Sequence, residues 1–371
     1  MAETTDVVII GGGAAGCAVA YYLAQAGVKS TIVERAGIGN QASGNAAGGL
    51  NPLTGIGIPG PLATFAWECY ELHSSLYEVL KDATTIDYQH RTVAKIDLAL
   101  DEAEAADLKK AAMRINATEG FDASWLEPEE VIKLEPRITP SIIGGMYDYG
   151  NAAADANKLT NALAKAAGST IREGNVTNVE GVGGRIDRVI LEDGEISCDQ
   201  IVMAMGPWSR KAESWLGVYI PVDPLKGEIL RLELEGDRIQ YDISGGGAAI
   251  YPKLDGLNWC GTTEDWKGFD RNPSEDVAKE IRSRLNRVFP KLAESKLAKH
   301  TACLRPVTPD WLPVLGRAPG WENVYLATGA GKKGILLAPG IGKSVADLMT
   351  AGETSLSIRS YSPERFGSEL D

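Results

Sequence analysis

The hydrophobic pattern of the chain changes period twice before residue 35. Residues 6–10 (Asp-Val-Val-Ile-Ile) form a short, β-branched, continuously apolar run, which predicts a buried strand. Residues 14–26 predict a helix that ends at Gly27, and residues 29–34 predict a second strand. The N-terminal region is therefore expected to form a βαβ unit rather than a membrane span.

The rest of the chain alternates between helix-like and strand-like segments. Residues 37–61 are rich in Gly, Ala, Asn and Pro, which predicts a long loop that wraps a ligand. Helices are predicted at 63–82, 101–114, 154–167, 274–289 and 334–351. Strands are predicted at 91–100, 226–234, 247–263 and 323–328, with several short ones within 170–205. The polar tail from Ser362 is expected to fray.

At 371 residues the chain is too long for one ordinary domain, and a hydrophobic fraction of 44% is ample for a large buried core. The order of elements predicts an α/β (α+β two-domain) protein. One domain is expected to be Rossmann-like and assembled from discontinuous segments, 1–85, 150–220 and 322–371. The other, 86–149 and 221–321, is expected to hold an antiparallel sheet that serves the substrate.

Charge and cysteine content narrow the class of protein. A net charge of −13 repels phosphate backbones and argues against a nucleic-acid partner. Five dispersed cysteines favour a reducing compartment over a disulfide framework, and three histidines are too few for a His-rich metal cluster. The acidic first residues do not resemble a signal peptide. We expect a cytoplasmic protein without membrane association or a metal, compatible with a homo-oligomer.

The first βα turn carries the motif Gly-x-Gly-x-x-Gly. Gly11 allows the tight turn, Gly13 lets the backbone approach a pyrophosphate, and Gly16 permits close packing of helix against strand. The helix N-terminus offers N–H groups to the phosphates. Glu34 ends the second strand, where a carboxylate can accept hydrogen bonds from ribose hydroxyls. The motif predicts a dinucleotide site, and it is shared by FAD and NAD.

Five separate segments carry a resemblance that covers nearly the whole chain. They are Asp6–Arg35, Ala42–Leu50 (ASGNAAGGL), Ala204–Ser209 (AMGPWS), Leu304–Gly316 (LRPVTPDWLPVLG) and Ala327–Gly340 (ATGAGKKGILLAPG). In these segments the sequence resembles the D-amino-acid oxidase family of FAD enzymes, which includes glycine oxidase, sarcosine oxidase and D-amino-acid dehydrogenase.

The resemblance implies FAD as the cofactor. The expected cofactor-binding residues are Gly11, Gly13, Ala14, Ala15, Gly16, Glu34, Arg35, Ala42, Ser43, Asn45, Ala46, Ala47, Gly48, Gly49, Val176, Gly206, Trp208, Gly331, Lys332, Lys333, Gly334 and Ile335. Cys303 matches the cysteine that tethers the flavin in monomeric sarcosine oxidases. A small buried cysteine is the alternative, and we expect non-covalent FAD.

The resemblance also implies a substrate site centred on Arg305. Its guanidinium would clamp the substrate carboxylate with two parallel N–H donors, and a structural ion pair is the alternative role. Tyr251 would replace a family tyrosine that is Ala249 here, or simply pack. Lys332 is a second candidate carboxylate contact, or a solvated charge. Arg305, Tyr251 and Lys332 are the expected catalytic residues.

Three further residues complete the expected substrate site. Gly49 and Asn51 would set the width of the pocket, and Glu264 would favour a cationic substrate group or lie on the surface. The implied reaction is oxidation of the C–N bond of a small amino acid or secondary amine by hydride transfer to flavin N5, which gives an imine that hydrolyses. Dioxygen, a quinone or another carrier would then reoxidise the flavin.

Three other functions stay open on the sequence alone. One is an FAD-dependent dehydrogenase of 2-hydroxy acids or other alcohols, because Arg305 would serve a carboxylate or a phosphate equally. The second is removal of a carboxymethyl group from a tRNA wobble uridine, which the net charge disfavours. The third is a non-catalytic flavin-binding subunit of an amine dehydrogenase complex.

Overall fold

The computed structural model describes residues 3–367. Its strands are β1 (Glu3–Ile10), β2 (Ser30–Glu34), β3 (Gly49–Leu50), β4 (Arg91–Ala99), β5 (Asp122–Leu126), β6 (Gly144–Ala153), β7 (Thr170–Glu173), β8 (Val176–Val182), β9 (Arg185–Leu191), β10 (Gly194–Met203), β11 (Asp223–Glu233), β12 (Asp242–Gly245), β13 (Ala248–Pro252), β14 (Leu257–Gly261), β15 (Lys296–Val307), β16 (Val314–Arg317) and β17 (Val324–Thr328). Its helices are α1 (Ala14–Gln25), α2 (Ala63–Thr84), α3 (Glu102–Ile115), α4 (Pro128–Leu134), α5 (Ala156–Ala167), α6 (Glu213–Leu216), α7 (Glu275–Val288), α8 (Pro290–Ala293) and α9 (Gly334–Thr350).

The chain divides into two compact units. The first comprises residues 1–90, 154–225 and 304–371, and the second comprises 91–153 and 226–303. Residues 304–321 fall in the first unit and not, as predicted from the sequence, in the domain expected to bind the substrate. The α/β class with two sheets, predicted from the order of elements, is confirmed.

The first unit is built on a largely parallel sheet in the order β16-β17-β10-β1-β2-β7. Strands β17, β10, β1, β2 and β7 run parallel, and β16 is antiparallel to β17. A hairpin of β8 and β9 joins the sheet through β10. The four residues Val7 to Ile10 are almost fully buried, as expected for a central parallel strand covered on both faces.

Helix α1 packs against α5 and α9. It is apolar on most sides because it lies inside this helical layer, and residues 17–20 are completely buried. A Cβ at Gly342 of α9 would lie 2.5 Å from backbone and side-chain carbon atoms of Ala18. Small residues at this crossing therefore let the two helices approach closely. Within residues 3–367, no helix is long and apolar enough to cross a membrane.

The second unit carries a sheet in the order β15-β11-β14-β13-β12-β4-β6, and β5 also pairs with β6. Five pairs of neighbouring strands are antiparallel: β11 with β14, β14 with β13, β13 with β12, β4 with β6, and β5 with β6. Strand β12 runs parallel to β4. One face is apolar and packs against α7 through residues such as Ile250, Ile281 and Leu285. The opposite face carries polar side chains, among them Lys95 and Asp97 of β4.

Helix boundaries follow the capping residues. Asp101 accepts a hydrogen bond from the Glu104 N–H at 2.9 Å, so α3 begins at Glu102 and not at residue 101. Asp155 caps α5 in the same way through Lys158 N–H, and Gly168 ends that helix at φ 60°. The predicted frayed tail is partly wrong, because Arg365 pairs with Asp310 at 2.8 Å. Residues 368–371 lie outside the described part of the chain.

Candidate functional site

The turn between β1 and α1 can be built only from glycines at two positions. Gly11 has φ 114°, and a Cβ there would lie 2.3 Å from the carbonyl oxygen of Ala204. A Cβ at Gly16 would lie 2.0 Å from the carbonyl oxygen of Gly11. Both distances are far below van der Waals contact, so the motif glycines allow the strand, the turn and the helix to approach one another.

The N-terminus of α1 presents hydrogen-bond donors beside a hydroxyl group. Gly13 is the N-cap residue and contributes no capping side chain. The Ser43 Oγ accepts a hydrogen bond from Ala14 N–H at 2.9 Å. A Cβ at Gly13 would lie 3.4 Å from that oxygen. Free N–H groups of a first helical turn, together with a hydroxyl group, suit the oxygens of a pyrophosphate.

The end of β2 meets the turn that follows β10. The Glu34 carboxylate accepts hydrogen bonds from Gly12 N–H at 2.7 Å and from Ala36 N–H at 2.8 Å. The Arg35 guanidinium carbon lies 4.1 Å from the ring centroid of Trp208, a cation–π contact. The structure thus brings together Arg35 and Trp208, which the sequence analysis had assigned to the cofactor from separate segments.

Two further expected cofactor residues lie near this end of the sheet. Gly174 N–H donates to the carbonyl of Glu34 at 3.1 Å, and Val176 begins β8 two positions later. Gly206 starts the turn that holds Trp208, and its carbonyl accepts a 2.7 Å hydrogen bond from the Ser209 hydroxyl. Ser209 also lies 2.6 Å from the Thr328 hydroxyl at the end of β17. These bonds join the turn after β10 to the segment that leads into α9.

The Ala42–Leu50 loop folds through close backbone approaches. Gly48 has φ 79°, and a Cβ there would lie 2.0 Å from the carbonyl oxygen of Ala154. Asn45 Nδ2 donates to the carbonyl of Gln41 at 3.0 Å. The remaining expected residues of this loop, Ala42, Ser43, Ala46, Ala47 and Gly49, are half-buried or exposed. They are accessible to a ligand in the first unit.

The start of α9 is tied to the segment that follows this loop. Lys333 Nζ donates to the carbonyl oxygens of Asn51 at 2.9 Å and of Thr54 at 2.6 Å. The Asn51 Oδ1 accepts from the N–H groups of Leu53 and Thr54, which fixes a tight turn. The carboxamide oxygen of Asn51 is therefore engaged in its own loop. Gly331, Gly334 and Ile335 lie at the N-terminus of α9.

Arg305 is half-buried in the last part of β15. The turn after this strand is held by Thr308, whose hydroxyl donates to the carbonyl of Leu312 at 2.7 Å. In this turn Trp311 adopts φ 62°, and Lys332 Nζ lies 5.3 Å from its ring centroid. A Cβ at Gly329 would lie 2.9 Å from the Thr308 methyl carbon. The strand that carries Arg305 is thus followed directly by a turn that packs against the residues leading into α9.

In the second unit, Tyr251 lies on the polar face of the sheet. Strand pairing places Ser244 opposite Ala249, and Tyr251 is two residues further along β13, so all three side chains share that face. Tyr251 is paired with Trp259 of β14, and the Arg231 guanidinium carbon lies 3.9 Å from the Trp259 ring centroid. Tyr251 is half-buried, whereas Glu264, beyond the end of β14, is exposed.

A cluster of charged residues on the same face was missed by the sequence analysis. Lys95 Nζ lies 2.6 Å from the Asp97 carboxylate, and strand register places Asp148 and Asp242 opposite Lys95. Burial raises the pKa of Asp148 to about 7 and that of Asp242 to about 6. The sequence of β4 contained a pattern that could have predicted this cluster, because Lys95 and Asp97 alternate with the buried residues Ile96 and Leu98.

A family model described as FAD dependent oxidoreductase (DAO) matches residues 6–348. The chain belongs to this family. The resemblance inferred from the five sequence segments is confirmed, and so is FAD as the cofactor. The oxidoreductase is 30% identical to a glycine oxidase from Geobacillus kaustophilus over 98% of both chains. It is 29% identical to a glycine oxidase from Pseudomonas aeruginosa, over 96% of this chain and 98% of the other.

The fold agrees with these similarities. The crystal structure of the glycine oxidase from Geobacillus kaustophilus superposes with a TM-score of 0.92 and covers 98% of this chain and 99% of its own. The first unit of the oxidoreductase also fits FAD on its own geometry. Gly13 leaves the N-terminus of α1 open, and the half-buried loop and the α9 N-terminus offer backbone amides. These groups would hold the pyrophosphate and the isoalloxazine edge.

Proposed function

We propose that this oxidoreductase oxidises the C–N bond of a small amino acid or secondary amine. The observation that carries the proposal is Arg305, a half-buried guanidinium in the last part of β15 whose following turn packs against the start of α9. The guanidinium group is planar, permanently charged and fixed on a strand, so its two parallel N–H donors are well suited to hold a carboxylate in one orientation. The glycine oxidase names of the similar proteins support the same substrate class.

Some residues would bind the substrate, and others would stabilise charge on the cofactor. Arg305 would hold the substrate carboxylate, and Lys332, over the ring of Trp311, would add a second positive charge. The N–H groups of Gly334 and Ile335 at the start of α9 would stabilise negative charge on the cofactor. When bound, FAD supplies the hydride acceptor of the reaction. Tyr251, on the polar face of the second sheet, stays a prediction from the sequence.

The substrate class can be tested by anaerobic bleaching of the flavin. We expect at least one of glycine, sarcosine, proline or the D- and L-amino acids to bleach the FAD-loaded protein. A protein bleached by 2-hydroxy acids and by none of these amines would contradict the proposal. With an active amine identified, parallel assays for hydrogen peroxide and for dye reduction would show whether dioxygen or another carrier accepts the electrons.

Arg305 can be tested by substitution. We expect Arg305→Met to lower kcat/KM by about 100-fold or more, because a carboxylate would lose its bidentate partner, a loss of about 3 kcal/mol. Arg305→Lys should restore only part of this, since an ammonium group cannot form the two parallel bonds. Arg317→Met, at an exposed arginine of β16, is the matched control and should leave kcat/KM unchanged. Equal activities of Arg305→Met and the control would exclude the carboxylate clamp.

A further inference from the structure

Helix α9 contains a proline at an interior position, where other residues would donate a backbone N–H to the carbonyl one turn earlier. Pro339 lies in the interior of the helix and is buried. Proline has no N–H, so the carbonyl of Ile335, four residues earlier, loses its helical partner. Ile335 belongs to the first turn of α9 and is itself buried. A buried carbonyl left without a partner is costly, so another donor is needed at this point.

His73 of α2 supplies that donor. Its Nε2 lies 3.0 Å from the carbonyl oxygen of Ile335 and 3.1 Å from that of Leu336. Carbonyl oxygens only accept hydrogen bonds, so Nε2 must carry the proton. The remaining nitrogen, Nδ1, is buried without a hydrogen-bond partner among residues 3–367. A second proton on Nδ1 would therefore have nothing to bond to, and the imidazole is neutral.

The neighbouring turn of α2 makes a second contact with the same stretch of α9. Cys69, one helical turn before His73, donates its S–H to the carbonyl of Leu337 at 3.7 Å. A Cβ at Gly340 would lie 2.3 Å from the Cys69 sulfur, so glycine is required where the helices approach. Three consecutive carbonyls of α9, at Ile335, Leu336 and Leu337, thus receive side-chain donors from one face of α2.

We propose that His73, in its neutral Nε2–H form, is a positioning residue that replaces the donor removed by Pro339 and so holds the first turn of α9. His73 is completely buried and lies too deep to touch a substrate. Its effect on the reaction would pass through the N–H groups at the start of α9, and this part rests on the proposed function, which assigns those groups to the flavin. Burial lowers the pKa of His73 to about 4, in agreement with a neutral ring.

The contact itself is tested on the FAD-loaded protein, at saturating FAD, by a double-mutant cycle in denaturant. We expect His73→Leu to reduce the folding equilibrium constant about tenfold, because the Ile335 carbonyl loses its donor. In a Pro339→Ala background the alanine N–H can serve that carbonyl, so the same substitution should cost clearly less. His73→Gln, which keeps an N–H donor on its side chain, should retain part of the stability. Equal losses in both backgrounds would overturn the proposal.

The wild-type protein provides a test that needs no variant. In ¹⁵N NMR spectra at neutral pH, the His73 ring should carry its proton on Nε2 with a bare Nδ1. A ring protonated on Nδ1, or on both nitrogens, would contradict the assigned bonds. This measurement keeps the proposal testable if His73→Leu does not fold.

The effect on the flavin is tested by sulfite, which binds oxidised flavin and places negative charge on the ring. In the FAD-loaded protein, His73→Leu should weaken sulfite binding by roughly threefold to tenfold, as expected when a helix N-terminus moves away from that charge. Adding Pro339→Ala should restore the affinity. Leu80→Ala, at a buried position two turns along α2, is the control: it should destabilise the protein without changing sulfite affinity.

The outcomes separate this inference from the proposed function. An unchanged sulfite affinity in His73→Leu would overturn the positioning role, since His73 would then serve the fold alone. If no amino acid bleaches the flavin, the proposed function fails, yet the stability cycle and the sulfite titration still report on His73.

Discussion

Single residues on the polar face of the second sheet show how burial changes the chemistry of an ordinary side chain. Asp148 is 1% exposed, receives a hydrogen bond from Asn151 and faces Lys95 across the strand pair. Burial disfavours its charge more strongly than Lys95 favours it, so the pKa is raised from 3.8 to about 7. For Lys95 burial acts to lower the pKa, but the charge and hydrogen bond of Asp97 together with the charge of Asp148 outweigh it and raise the pKa.

The raised pKa of Asp148 predicts how stability depends on pH. Between pH 4 and 7 the folded protein holds a proton on Asp148 that the unfolded chain has released. The free energy of unfolding should therefore fall as pH rises through this window, by about 1.4 kcal/mol per pH unit for one proton. In urea titrations Asp148→Asn should make this slope shallower by about 1.4 kcal/mol per pH unit and leave the contribution of Asp242, whose pKa is raised to about 6, whereas Asp107→Asn, at an exposed aspartate of α3, should leave the slope unchanged. A slope between pH 6 and 7 that is as steep in Asp148→Asn as in the wild type would refute the assignment.

At the scale of elements, the junction of β1, α1 and β10 depends on the absence of side chains. The oxygen atom that a Cβ at Gly16 would meet belongs to Gly11, and the one that a Cβ at Gly11 would meet belongs to Ala204 of the segment after β10. One contact therefore links the turn and its helix, and the other links the turn and a neighbouring strand. In this chain the motif glycines are required for close packing of the strand, the turn and the helix. The same close packing leaves room beside the turn for a pyrophosphate.

Gly16→Ala tests this junction. The added methyl group would lie 2.0 Å from the Gly11 carbonyl oxygen, so α1 must shift away from the turn. We expect a loss of about 1–3 kcal/mol in unfolding free energy and FAD binding weakened at least tenfold, measured by denaturation and by titration of the apoprotein. Gly194→Ala, at the start of β10 with open space around the new methyl group, is the control. If Gly16→Ala bound FAD as tightly as the wild type, the prediction would be wrong, because α1 could then shift without disturbing the FAD site.

At the scale of the whole molecule, the chain leaves and re-enters its first unit twice. The unit is assembled from residues 1–90, 154–225 and 304–371, and its parallel sheet takes strands from all three segments. The turns after β1 and β10 and the start of α9 are the parts assigned to FAD. Because they come from separate segments, ligand binding should stabilise the entire unit rather than one local motif.

Hydrogen exchange with and without FAD tests this expectation. At a free concentration 100 times its dissociation constant, FAD should stabilise the native protein by about 2.7 kcal/mol. Amides in all three segments of the first unit should gain more protection than those in residues 91–153 and 226–303. Protection confined to the N-terminal βαβ unit would contradict the expectation.

Much of the fold could be predicted because its signals are local. The apolar run of β1, the period of α2 and the glycine that follows α1 each lie within a few residues of the element they define. Strand β6 was missed because its glycines hide the alternation, and at Gly144 a Cβ would lie 2.4 Å from the Trp125 ring. That glycine is explained by a neighbour distant in sequence.

The sequence by itself determined the family and the cofactor through the five segments that carry the resemblance. It also determined the glycine-lined turn, because a motif of fixed spacing between a strand and a helix encodes its own geometry. Only the tertiary structure decided which side chains act together. His73 meets the Ile335 carbonyl 262 positions away, and Lys95 meets Asp148 and Asp242 only through strand register. Hydrogen bonds and charge interactions act over a few ångströms in space, so partners that distant in sequence leave no periodic trace along the chain.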